Sequence, residues 1–140
     1  MIKLCTKQFS EFAVGERASF TVDITGDLVE KFAQLSGDQN PLHVDAAYAG
    51  ATVFGSCIPH GMIAGMFFSR LIGMYLPGKH ALYLSQTLKF HKPLPLGGVT
   101  VQGIIIAKND ALHVVTVETT VLDSQDSLLI DGQAVVKILL

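Results

Sequence analysis

The chain changes period once, and that change constrains the fold more than any other feature. Residues 60–76 form the longest helical pattern, apolar on nearly every face, which predicts a helix buried all round. At ~1.5 Å per residue such a helix runs about 25 Å, the width of a small domain. From His80 onward the text turns to strands: "HALYLSQTLKFHKPL", "GVTVQGIIIAK", "ALHVVTVETTVLD" and "LLIDGQAVVKILL" are rich in β-branched and aromatic residues. Turn formers separate them at residues 93–98, 109–110 and 123–127. Helices first and consecutive strands afterwards predict an α+β domain, with an antiparallel sheet curled around one apolar helix.

Before the helix, residues 18–24 suggest a first strand, and "TGDLVEKFAQLSG" reads as a short helix. Thr25 or Asp27 can cap it, Leu28, Phe32 and Leu35 form its apolar stripe, and Gly37 stops it. Asp45 is a second N-cap candidate, opening one or two helical turns in "DAAYAGAT". No repeat or linker divides the 140 residues, so 1–140 is expected to be one domain.

Composition excludes several classes of function. Net charge is −2 with no basic cluster, which argues against nucleic acid. The sequence is 49% hydrophobic and only 16% charged, yet no apolar run reaches the ~20 residues of a spanning helix. The surplus apolar surface is expected to form a subunit interface or line a tunnel for a greasy ligand. Cys5 and Cys57 fit neither a metal spacing nor a disulfide framework. The first residues lack the long apolar core of a secretory signal, so a reducing interior such as the cytoplasm is expected.

The chemistry concentrates in "SGDQNPLHVD", residues 36–45, where Asp38 and His43 flank Asn40-Pro41. Pro41 fixes its own φ and pushes Asn40 toward an extended conformation, so the segment is stiffer than a turn requires. Loop Asx residues commonly bond their own backbone, and that reading stands beside the catalytic one. A stiff segment holding a carboxylate and an imidazole on one side suits proton transfer to a positioned water. A metal site made from Asp38, His43, Asp45 and His60 is conceivable, but hydrolytic zinc sites usually need a denser histidine set.

The stretch "FAQLSGDQNPLHVDAAYA" resembles the signature of the MaoC-like, (R)-specific enoyl-CoA hydratases, also called hydratase 2. The matching positions are Phe32, Ser36-Gly37-Asp38, Asn40-Pro41, Leu42, His43 and the small Ala49. The likeness continues through "IPHGMIAGMFFSRLIGMYLPGK" and "LYLSQTLKFHKPL". The resemblance implies a single hot-dog domain, a homodimer, no cofactor and no metal. It also implies reversible addition of water to trans-2-enoyl-CoA, giving (R)-3-hydroxyacyl-CoA. Asp38 and His43 map onto the family's catalytic pair, with Asn40 as a brace, and the Gly61 N–H onto its oxyanion donor. A glycine needed only for close packing explains Gly61 as well. Ser69 and Ile72 fall where related enzymes line the acyl pocket, although core packing explains them equally well. His60 is expected to be structural, since the motif already contains a base. Two rival functions keep the fold: a hydroxyacyl-thioester dehydratase acting on acyl carrier protein, and an acyl-thioester binder without turnover.

Overall fold

The structure, a computed structural model, describes residues 2–140. Strand β1, Arg17–Ile24, leads into helix α1, Gly26–Ser36. Thr25 caps α1 by accepting the Leu28 N–H, and Gly37 ends it with a left-handed φ of 77°. Its inward stripe is Leu28, Val29, Phe32 and Ala33. The expected member Leu35 is 90% exposed, because the stripe centres on Val29 and Phe32 and leaves Leu35 at its rim in the last turn.

Two short helices follow, α2 at Pro41–Val44 and α3 at Ala46–Gly50. Helix α2 is one turn where the sequence suggested only a stiff loop. Proline at its first position is pre-set for helix, and the Asn40 side chain accepts the Leu42 N–H. Asp45 caps α3 as expected, accepting from Ala47 N and Tyr48 N.

The central helix differs from its sequence reading in two ways. Gly61 and Met62 form a turn, so the α-helical part, α4, is only Ile63–Arg70, and Leu71–Tyr75 widens into a π-helical turn. Nor is it buried all round. Ile63, Ala64, Phe68, Leu71 and Ile72 face the core, while Met62 (53% exposed), Met66 (41%), Ser69 and Gly73 lie open along the other side. Apolar residues occupy both sides, but a single chain supplies a sheet to cover only one.

That sheet contains β2 (Ala81–Gln86), β3 (Lys89–Phe90), β4 (Gly97–Asn109), β5 (Val114–Leu122) and β6 (Leu128–Ile138), together with β1. All pairings are antiparallel, in the order β1-β4-β5-β6-β2, with the two residues of β3 also on β6. The strand expected from "HALYLSQTLKFHKPL" is thus split in two near Thr87. Alternate residues point inward: Val99, Val101 and Ile105 on β4; Val115, Val117 and Val121 on β5. One core cluster joins α4 to Ile24, Val101 and Ile130, and a second joins Ile72 and Leu76 to Phe9, Phe12, Ile105 and Val136. Gly103 lets helix and sheet close together: a Cβ there would lie 2.9 Å from Val117 Cγ1 and 3.0 Å from Leu71 Cδ2. Among the described residues, no helix is long and apolar enough to cross a membrane.

A half-buried polar group at the sheet edge makes this packing sensitive to pH. The Tyr83 hydroxyl donates to Gln86 Oε1, and Gln86 Nε2 donates to Thr119 Oγ1 at 2.9 Å. Burial pushes the Tyr83 phenol up to about 12. An unfolded tyrosine ionises near pH ~10, so the folded chain holds this proton more tightly and loses stability as pH rises from there toward 12. Denaturant midpoints measured across that interval should fall for the wild type, and Tyr83→Phe should flatten the decline.

Candidate active site

The segment after α1 is organised by its own side chains. The Asp38 N–H donates to Ser36 Oγ at 3.1 Å, the Asn40 N–H to Asp38 Oδ1 at 3.1 Å, and the Leu42 N–H to Asn40 Oδ1 at 3.0 Å. Gln39 reaches back to the Ala33 carbonyl at 3.1 Å. These bonds turn the chain so that the Asp38 side chain, half exposed, faces the same gap as His43 on α2. Asn40 therefore braces the segment as a helix cap.

A second segment, residues 58–60, holds the first from across the gap. His43 Nδ1 lies 2.7 Å from the Ile58 carbonyl, and the Ile58 N–H donates to the Leu42 carbonyl at 3.3 Å. A carbonyl can only accept, so Nδ1 of His43 carries the proton and Nε2 of the neutral ring keeps its lone pair. His60 follows two residues later and is 1% exposed. Its Nε2 is 3.0 Å from the Asp38 carbonyl and 3.9 Å from Asp38 Oδ2. Its ring lies against His43, with centroids 3.9 Å apart and the planes tilted by 31°, and tilts against Phe32 at 4.9 Å.

One atom each from Asp38, His43 and His60 fall within 4.8 Å of one another. That spacing suits a single water, which sits ~2.8 Å from each of two partners. It suits a metal less well. The same acceptor-only argument makes His60 Nε2 the donor to the Asp38 carbonyl, so that nitrogen is committed to the backbone. Asp45, the fourth candidate ligand, is engaged in capping α3.

His43 opens onto a cleft of about 480 Å³ walled by Val29, Ala33, Val44, Ile58 and Leu96. Gly61 lines a neighbouring cleft of about 450 Å³ with Phe54, Ile58, Phe90 and Leu94. Ile58 lines both. The structure brings Asp38 and His43 together at one gap, whereas Gly61 lines the other cleft. Among the described residues the Gly61 N–H has no acceptor. A Cβ on Gly61 would lie 2.7 Å from the Phe90 ring, so the close-packing explanation also describes this position. Ser69 is exposed on α4, and Ile72 is core, 1% exposed among Phe9, Phe12 and Ile105.

Sequence reasoning saw the acid and the imidazole but missed how the 58–60 segment holds them. The Ile58 contribution is a backbone carbonyl, which leaves no trace in side-chain text. A lone histidine before a glycine likewise does not announce a bond to a residue 22 positions upstream.

Comparison with known proteins places this arrangement. Residues 11–126 match the MaoC like domain family. The chain is 38% identical over 126 residues to an (R)-specific enoyl-CoA hydratase of Aeromonas caviae, covering 89% of this chain and 94% of that one. It is 34% identical to a mitochondrial 3-hydroxyacyl-[acyl-carrier-protein] dehydratase of Solanum lycopersicum, over 77% of this chain and 66% of that one. The unliganded R-hydratase structure from Pseudomonas aeruginosa superposes with a TM-score of 0.87 at 36% identity, over 94% of this chain and 84% of that one. With a six-stranded antiparallel sheet laid against one central helix, the protein has the hot-dog fold and belongs to the MaoC-like family.

Proposed function

We propose that the protein adds water reversibly to trans-2-enoyl-CoA, giving (R)-3-hydroxyacyl-CoA, with residues 1–140 acting as one hot-dog unit. The observation that carries this reading is the one-water gap between the Asp38 carboxylate and a His43 ring whose tautomer is set by Ile58. The (R)-hydratase name of the Aeromonas caviae relative supports the stereochemistry.

In this reading the roles are as follows. His43 Nε2 takes one proton from the held water, and the hydroxide forms its bond to C3. The C2–C3 π pair moves to C2 and its thioester, and the proton on His43 passes to the Asp38 carboxylate, which delivers it to C2, so that both groups end as they began. Negative charge that builds on the thioester oxygen meets the unpaired Gly61 N–H, the kind of donor whose loss costs ~10²-fold or more. Phe90, half exposed against Gly61, turns aside to admit the thioester. Ser69 and Ile72 stand farther from this chemistry, and core packing accounts for Ile72.

Crotonyl-CoA should lose the absorbance of its conjugated thioester when wild-type protein is added. Asp38→Asn and His43→Gln should each lower kcat by about 10²–10⁴-fold, the range of a lost general acid or base. Wild-type rates in both variants would remove the pair from the mechanism. A flat signal with retained ligand binding would make the protein a binder.

The carrier is a separate question, because it is recognised far from C3. The Solanum lycopersicum relative favours a second reading, dehydration of a hydroxyacyl group on acyl carrier protein. Side-by-side turnover of crotonyl-CoA and the matching acyl-carrier-protein thioester distinguishes the two; the expected preference is for coenzyme A.

The working form in this proposal is a homodimer in a reducing interior, the cytoplasm. Free Cys5 and Cys57 support the compartment. Exposed Leu82 and Leu84 on β2, an edge strand, and Met62 and Met66 beside α4 support the pairing. Sedimentation equilibrium should return twice the chain's 15.0 kDa mass.

A further inference from the structure

We infer that His60 is the positioning residue of this site, fixing the Asp38–His43 separation through its Nε2–H bond to the Asp38 carbonyl. The inference rests on the proposed hydration and deepens it. A base is excluded by geometry: the ring is 1% exposed, and its proton-bearing Nε2 is committed to a backbone acceptor. Its lone-pair nitrogen, Nδ1, is buried without a partner. An unpaired buried nitrogen is a cost to folding that an apolar residue of similar size would avoid. What the imidazole supplies in return is a rigid donor. It reaches across 22 residues to the carbonyl of Asp38 and packs its ring against His43, with centroids 3.9 Å apart.

The two contacts act on the two members of the pair separately. The hydrogen bond holds the Asp38 backbone and so sets where its carboxylate projects. The ring packed against it keeps His43 on the Ile58 carbonyl. Local bonds alone do not do this, because Ser36, Asp38 and Asn40 are exposed and their side-chain bonds compete with water. His60 is the buried anchor of an otherwise solvent-facing turn.

The test compares His60→Gln, whose amide nitrogen can occupy the place of Nε2, with His60→Leu and His60→Asn, which cannot reach the carbonyl. Each variant is first shown to be folded by its thermal transition. Leu and Asn should lower kcat by about 30- to 100-fold, the scale of an ångström-level misplacement, with KM changed less than about threefold. Gln should recover most of the loss. Hydrogen exchange of the Asn40, Leu42 and His43 amides supplies a readout that needs no turnover. It should quicken about tenfold in Leu and Asn, with protection regained in Gln. The inference is overturned if Leu and Asn match wild type in rate and exchange, or if Gln is as impaired as they are. If the wild type turns over no enoyl-CoA, the hydration reading fails, and exchange alone decides the role of His60.

Discussion

A 2.7 Å hydrogen bond from His43 Nδ1–H to the Ile58 carbonyl determines what this site can do. Histidine is useful as a base only if the nitrogen facing the substrate is the unprotonated one, and which nitrogen that is depends on the partner of the other. The carbonyl cannot donate, so the choice is made by the backbone and does not fluctuate with solvent. Two residues along the same extended segment, His60 reaches the main chain of Asp38. One short stretch of chain therefore governs both members of the pair.

The fold exists to put that stretch where it is. The turn at Gly61 and Met62 lies between the 58–60 segment and α4, whose inner face is locked into the sheet by Phe68, Leu71 and their neighbours. Gly103 lets Leu71 seat directly on β4. With the helix immobilised, its N-terminal approach is fixed too, and the free Gly61 N–H is held in a constant direction. The sheet of this chain covers only one side of α4, and the other lies open. Met62 and Met66 are exposed there, although their chemistry belongs in an interior.

The architecture could be read from the text because it follows from period and punctuation. The β1, α1, β4, β5 and β6 segments all appear near their expected bounds, and the caps at Thr25, Gly37 and Asp45 are where short-range rules put them. What went astray depended on distant partners. Leu35 fits a heptad-like spacing, but the sheet accepts a stripe centred on Val29 and Phe32. The widened turn at Leu71–Tyr75 packs against β1, β2 and β4, partners that no local propensity encodes.

The same division holds at the site. By itself, the sequence determined that an acid and an imidazole sit five residues apart on a stiffened turn, because proline geometry and Asx capping are local. Only the tertiary structure decided which His43 nitrogen is free, that His60 is buried beneath the pair, that Ile72 is core, and that Ile58 lines the clefts of both His43 and Gly61. Each of those is a contact between segments far apart in the chain. Such contacts form only once the apolar faces of helix and sheet have excluded water and fixed the segments against each other.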